Sequence, residues 1–429
     1  MRIIVGETSR NHDLNLVPGQ NLVTGIKDFN REFGILTSLE EDLLIISSAI
    51  YASDLAVKRE EREAFIRSIE INIPVVNYHL FQSVKEIILS ALFVLSSDNW
   101  TINFTRVNGK SEEEEYPICD GRVLLFSGGL DSYAAATVFS QSPEGLFLVS
   151  HITHNQTIET AQNQLKSYIE QRMGTPLQRV AFRVGARKKG RHNFPTDQYR
   201  EDSQRTRSFL FLCLAALFAR RKGCSRIINI AENGQFAIHI PLNAARPGPF
   251  STHTAHPEFI HHMQVLFQEI FENETLQIIN PFLYNTKSEV LERIPARLRD
   301  GIPLSVSCWK ASRVSGYNHC GECIPCLFRR IALEKIGIRL DEYSRNLFEE
   351  NISELLPNDN GKRNLIDLLE FSSYFRNYTD SAQDKLMEDF GELYNDFFNT
   401  QDAIELYRRM ADDVYTVASR FPRIASQLR

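Results

Sequence analysis

The stretch RVLLFSGGLDSYAAATVF, Arg122 to Phe139, sets how the rest of the chain is read. An apolar run enters Ser127-Gly128-Gly129-Leu130-Asp131-Ser132 and passes at once into an alanine-rich helical segment. A buried strand, a turn with two glycines and the start of a helix bring backbone N–H groups and hydroxyls around one point, which suits an anion. Gly128 and Gly129 leave room for phosphate oxygens beside the backbone, Ser127 and Ser132 can donate, and the helix dipole adds positive charge. Asp131 would repel phosphate unless a cation stood between them, which assigns it to Mg2+. A plain turn with Asp131 as helix cap is the competing reading. The stretch is neither a Walker loop nor a dinucleotide fingerprint.

On its C-terminal side the pattern of strand, turn and helix repeats: LFLVSHI precedes TIETAQNQLKSYIEQRM, RVAFRVG precedes RTRSFLFLCLAALFARRKG, and RIINIAENG follows. Short apolar runs alternating with helical periods predict an α/β parallel sheet with helices on both faces, whose ligands sit at the carboxyl ends of the strands. The Ser127 turn, His151 to Gln156, Gly185 and Ala231 to Gly234 all fall at such ends. Residues 1–118 mix strand-like and helix-like segments and are expected to form an α+β domain, closed by the polar run NGKSEEEEYP. Residues 119–337 form the sheet domain, and 338–429, with helical patterns and no obvious chemistry, a C-terminal helical domain.

The chain has 429 residues, 43% of them hydrophobic, and a net charge of −6, so it is globular and not built to coat nucleic acid. Its longest apolar runs fall short of the roughly 20 residues that span a bilayer, and MRIIVGETSR lacks a signal-peptide core, so a cytoplasmic location with no membrane partner is expected.

Four of seven cysteines crowd into SCWKASRVSGYNHCGECIPCLFRR. Cys308, Cys320, Cys323 and Cys326 in a C-x11-C-x2-C-x2-C array match tetrahedral Zn2+, in a closed structural site within a zinc segment spanning 305–330. An iron–sulfur cluster is the alternative, but the ferredoxin run would continue x3-C-P, and Leu327, Phe328, Arg329 and Arg330 follow instead. His319 is a spare candidate ligand, but with four cysteines present it is expected to be a neighbour of the array.

The glycine turn resembles the PP-loop of the N-type ATP pyrophosphatases, S-G-G-x-D-S after the first strand of a HUP-like domain. That resemblance implies ATP, with Ser127 to Ser132 around its β- and γ-phosphates, Arg207 and Ser208 (beside Arg205) near the nucleotide, and Asp131, Ser132 and Lys287 of PFLYNTKSEVL as catalytic residues. With the ending CGECIPCLFRR, residues 121–337 resemble the 7-cyano-7-deazaguanine (preQ0) synthases, QueC. The resemblance implies adenylation of 7-carboxy-7-deazaguanine with release of pyrophosphate, then attack by an amine. The pieces ENG, PLN, R-x-G and ST-x-T-x-HP between Ala231 and His262 are most similar to a longer QueC-like branch of anti-phage defence operons, QatC of the Qat system. They mark Glu232, Asn233, Arg246, Ser251, Thr252, Thr254 and His256 as substrate-pocket candidates, and the added domains raise a protein amine as acceptor. Alternatives are a housekeeping synthase of queuosine biosynthesis, a tRNA-modifying enzyme, and a non-catalytic nucleotide sensor. The tRNA reading expects a catalytic cysteine, and Cys213 and Cys224 are poorly placed for one.

Overall fold

In the computed structural model of the chain, the strand that enters the glycine turn lies in the middle of a six-stranded sheet, covered by helices on both faces. The structure describes residues 1–6, 12–60, 66–109, 116, 121–142, 144–152, 155–224, 227–242, 253–340, 342–377 and 383–427.

The N-terminal stretch runs β1 (Arg2–Val5), β2 (Leu14–Leu16), β3 (Leu22–Thr24), α1 (Ile26–Phe33), α2 (Ser38–Ala56), β4 (Ser68–Val75), α3 (Tyr78–Ser83), α4 (Lys85–Ser96) and β5 (Asn99–Arg106). Strict alternation along β4 puts Ile69, Ile71, Ile73 and Val75 on one buried face. Helix α2 starts at a reciprocal cap, Thr37 N–H to Glu40 Oε2 at 2.8 Å and Glu40 N–H to Thr37 Oγ1 at 3.4 Å. The expected α+β arrangement is corrected by the strand directions. The four-stranded sheet β2-β1-β4-β5 is wholly parallel, with α1 and α2 preceding β4 and with α3 and α4 carrying the chain back from β4 to β5. Strand β3 leaves that sheet and pairs antiparallel with the edge of the other one.

The central stretch runs β6 (Gly121–Leu125), α5 (Leu130–Phe139), β7 (Gly145–Ile152), α6 (Gln156–Met173), β8 (Gln178–Ala186), α7 (Arg207–Lys222), β9 (Ile227–Asn229), α8 (Gly234–Ala237), α9 (Pro257–Phe271), β10 (Gln277–Ile279), α10 (Lys287–Glu292), a 3-10 stretch Ala296–Leu304 and α11 (Ile324–Lys335). The sheet order is β10-β9-β6-β7-β8-β3, parallel except at β3. The chain winds from β6 outward through β7 and β8, then crosses back through α7 to β9 and β10 on the other side. Strand order reverses between β6 and β9, and their carboxyl ends open the crevice where such sheets bind ligands.

The C-terminal helices are α12 (Asn360–Arg376), α13 (Gln383–Asp389), α14 (Thr400–Ala418) and α15 (Pro422–Ala425). They share a core with Leu327, Phe328 and Ile331 of α11 and with Ile238 and Ile240 after α8. A second apolar core fills the space between the N-terminal sheet and one face of the central sheet, with α2, α4, α7 and α9. The N-terminal stretch is also tied in by a buried polar knot. Arg67, 1% exposed, pairs with Asp54 at 2.6 Å and Asp98 at 2.5 Å, and Asp54 accepts from the Thr206 N–H and hydroxyl just before α7. Among the described residues no helix is long and apolar enough to cross a membrane.

Candidate active site

The loop after β6 is shaped by one left-handed residue. Gly128 has φ +83°, and a Cβ there would lie 3.1 Å from Gln162 Cγ, on α6. The turn is braced by Gly129 N–H to Ser127 Oγ at 3.2 Å, Ser132 Oγ to Gly129 O at 3.0 Å and a 3.2 Å contact between the two serine hydroxyls. Helix α5 begins at Gly129 with no side chain capping it, so its first amides stay open toward the loop. Leu130 is in the core at 1% exposure and offers the loop its backbone only.

Asp131 sits at the switch point, 5% exposed. Its Oδ1 accepts from Lys287 Nζ at 2.7 Å, and its Oδ2 from the Asn233 side chain at 2.8 Å and the Asn233 N–H at 3.2 Å. Residues from the ends of β6 and β9 and the start of α10 therefore meet at one carboxylate. Burial alone would raise the Asp131 carboxyl, but the Lys287 ammonium and hydrogen bonds from Glu232, Lys287 and Asn233 outweigh it and hold it below the usual range. Glu232 moves the other way. Burial first, then the Asp131 charge and their shared hydrogen bond, push it well up. Asn233 Nδ2 also reaches Glu232 Oε1 at 3.0 Å. The constellation is a lysine ammonium and two carboxyl groups pushed in opposite directions, beside an open helix start.

Arg207 stands at the start of α7 near the carboxyl end of β7, where its charge helps to lower His151 to about 3 after burial, the larger cause. Its Nε is buried with no partner among the described residues. Ser208 is beside it, buried. Arg205 instead turns toward the N-terminal stretch and donates to Ser96 O at 3.0 Å.

Of the substrate-pocket candidates, Glu232 and Asn233 join the Asp131 cluster. His256 is occupied as the cap of α9, its Nδ1 accepting the Glu258 N–H at 3.3 Å, with its ring 5.3 Å from that of His253. Thr254 is half-buried beside it. Arg246, Ser251 and Thr252 lie outside the described residues. Sequence reasoning missed Gln235, whose Oε1 accepts the Lys287 N–H at 3.1 Å, and Gln162, which donates to Ser127 O at 3.3 Å. Gln235 directly follows the quoted ENG piece; nothing in the pattern marks Gln162.

The four cysteines converge. Their sulfurs all lie within 4.8 Å of one another, with Cys308–Cys323 and Cys320–Cys326 at 3.9 Å. A tetrahedron with Zn–S bonds of about 2.3 Å has S···S edges of about 3.8 Å, so the donor set fits zinc in both type and size. Backbone N–H groups of Lys310, Cys320 and Cys323 point at the sulfurs of Cys308, Cys308 and Cys320 at 3.2–3.4 Å, as suits thiolates. Gly321 makes the knuckle possible: a Cβ there would be 2.0 Å from Arg345 O. His319 lies outside this group of four, and its Nε2 accepts the Ser307 N–H at 3.2 Å. The segment is bound to the phosphate loop by Val306 N–H to Gly128 O at 3.0 Å. Buried Arg329 braces it through Ser305 at 2.8 Å and Ile302 O at 3.0 Å.

The family profile described as "Queuosine biosynthesis protein QueC" matches residues 121–337, from the strand before the glycine turn to just past the cysteine segment. The chain belongs to the QueC family. It is accordingly an ATP-dependent synthase of the PP-loop type. It is also 25% identical over 231 residues to a 7-cyano-7-deazaguanine synthase of Methanothrix thermoacetophila, a match covering 50% of this chain and 95% of that one. Among solved structures, the ketoreductase domain from the bacillaene assembly line aligns over 65% of this chain and 79% of its own at 10% identity. Its TM-score of 0.21 carries no argument about fold. Asp131, Glu232, Asn233, Lys287 and the four cysteines all fall inside the QueC match, whereas β1 to β5 and α12 to α15 lie outside it. The tRNA-modification alternative finds no nucleophile in Cys213, which is fully buried, its thiol pushed well up by desolvation.

Proposed function

We propose that the chain uses ATP to adenylate the carboxylate of a 7-carboxy-7-deazaguanine and passes the acyl group to an amine. The observation that carries this reading is the meeting of Asp131, Lys287 and Asn233 at the carboxyl ends of β6 and β9, next to the uncapped start of α5. The open amides, Ser127 and Ser132 take the β- and γ-phosphates, and Lys287 neutralises charge as pyrophosphate leaves. A substrate carboxylate oxygen attacks the α-phosphorus, the bond to the bridging oxygen breaks, and pyrophosphate departs. An amine then displaces AMP from the acyl carbon and loses a proton, giving an amide. Adenylation of the amide oxygen by a second ATP, with loss of AMP and protons, gives the nitrile. Asp131 and Glu232, neighbours at the carboxyl ends of β6 and β9, would hold Mg2+, which would screen phosphate charge. The divalent ion would have to share Asp131 with Lys287 and Asn233, and Glu232 would join it as the carboxylate.

The acceptor amine is ammonia in the simplest form. The stretches outside 121–337 favour a second reading, in which a partner protein of a defence operon supplies the amine. The test is pyrophosphate release from ATP and 7-carboxy-7-deazaguanine, with ammonia or co-expressed partner proteins as acceptors. Release with the wild type and its abolition in Asp131→Ala are expected; ATP binding with no release for any acceptor returns the chain to a nucleotide sensor. Nitrile formation from ammonia, with partners unmodified by mass spectrometry, removes the defence reading.

A further inference from the structure

Helix α14 lies beyond the family match, yet it holds both segments that meet at Asp131. Arg409 and Asp413 are four residues apart and share one face of it. Arg409 Nε donates to Glu289 Oε1 at 2.7 Å and its NH2 to Tyr284 O at 2.7 Å, while the Thr286 hydroxyl donates to Asp413 Oδ2 at 3.2 Å. Thr286 and Glu289 are the two halves of the capping box that starts α10: Thr286 N–H reaches Glu289 Oε2 at 3.0 Å and Glu289 N–H reaches Thr286 Oγ1 at 3.2 Å. Lys287 is the first residue of that helix. Both halves of its cap are therefore gripped from α14.

The same helix holds the other side of the site. The Tyr407 hydroxyl accepts the Ile240 N–H at 2.9 Å and donates to Gln235 O at 3.2 Å, and Gln235 Oε1 accepts from Lys287 N–H. Leu406 closes on Gly234, where a Cβ would lie 2.5 Å from its Cδ2. Asp413 also pairs with Lys335 of α11, the helix containing Cys326, at 3.0 Å.

We propose that α14 is a working part of the catalytic unit, with Arg409 and Asp413 as positioning residues that set Lys287 against the nucleotide phosphates. The inference rests on the adenylation reading for the identity of the phosphates. Lys287 stays paired to Asp131 only while the start of α10 is fixed, and a shift of about 1 Å in such a group can cost up to about 100-fold in rate.

The full chain is compared with Arg409→Met, which keeps the aliphatic stem, and with Arg409→Lys, which keeps the charge. ATP affinity by equilibrium dialysis, kcat and KM for pyrophosphate release, and Tm are measured for each. In Arg409→Met kcat should fall about tenfold or more with Tm little changed and KM for the deazaguanine acid unmoved, and Arg409→Lys should recover part of the loss. On a Lys287→Ala background the Arg409→Met change should cost nothing further. An unchanged kcat, or the same loss on the Lys287→Ala background, overturns the proposal. If Arg409→Met does not fold, Asp413→Asn takes its place in the same comparison. If the wild type releases no pyrophosphate, the adenylation reading fails by itself. ATP affinity then decides on α14: equal affinity in wild type and Arg409→Met sinks the positioning role.

Discussion

His151, His239, His253 and His256 are held neutral inside the fold, at about 3, 3, 4 and 3 against an ordinary 6.5. Burial is the first cause in each. Arg207 adds to it at His151, His253 and Arg205 at His239, Arg205 at His253, and the two other imidazoles at His256. Lowered folded values mean that the unfolded chain takes up protons below pH 6.5 while the folded chain does not until much lower. Stability should therefore fall as pH drops from about 6.5 toward 4, each histidine contributing about 1.4 kcal/mol per pH unit before their mutual coupling is counted. Urea midpoints at pH 7.5, 6.5 and 5.5 check this. A midpoint that does not move between 7.5 and 5.5 would show that these imidazoles are solvated. The window is separate from that of Asp131, whose lowered carboxyl contributes stability above its unfolded range and loses it only in stronger acid.

At the scale of elements, the glycine turn works through backbone conformation, and its two glycines separate experimentally. Gly128 needs φ +83°, so alanine there costs about 1–2 kcal/mol from the left-handed backbone alone, and its Cβ presses on Gln162. Gly129 has an ordinary φ of −81°, and a Cβ there meets Ser127 Oγ at 3.2 Å. Gly128→Ala should lower Tm more than Gly129→Ala, while both should raise KM for ATP; equal Tm values would show that the turn can relax. The turn was legible because its residue types are dictated by what surrounds a phosphate, and the long strands because apolar runs alternate with helical periods. Strand direction in the N-terminal stretch was not legible, since alternation along β4 reads the same in parallel and antiparallel sheets. Strands β2, β3 and β10 have three residues each, too few to show a period. Asp131 and Lys287 were each found by motif, but a pair 156 positions apart has no local signature. Nor do Arg409 and Asp413, which read as the polar face of an ordinary amphipathic helix.

Over the whole molecule, the cysteine segment joins the C-terminal helices to the phosphate loop. Val306 bonds to Gly128, Arg329 bonds to Ser305 and Ile302, and Lys335 of the same helix as Cys326 pairs with Asp413 on α14. Four sulfurs this close cannot all ionise without a cation between them, so a bound metal would supply the charge that lets the knuckle close. With four cysteine donors the site would have no open position, and zinc there would supply folding energy and no chemistry. About one zinc per chain is expected from protein purified anaerobically. Stripping it with a chelator, or changing Cys326→Ser, should lower Tm and weaken ATP binding together, because the loop loses its brace at Gly128. Restoring zinc to the stripped protein should recover both. Stoichiometric iron with visible charge-transfer absorption would replace zinc by a cluster. Loss of Tm with ATP affinity intact would show that the segment stabilises the C-terminal helices without reaching the phosphate loop.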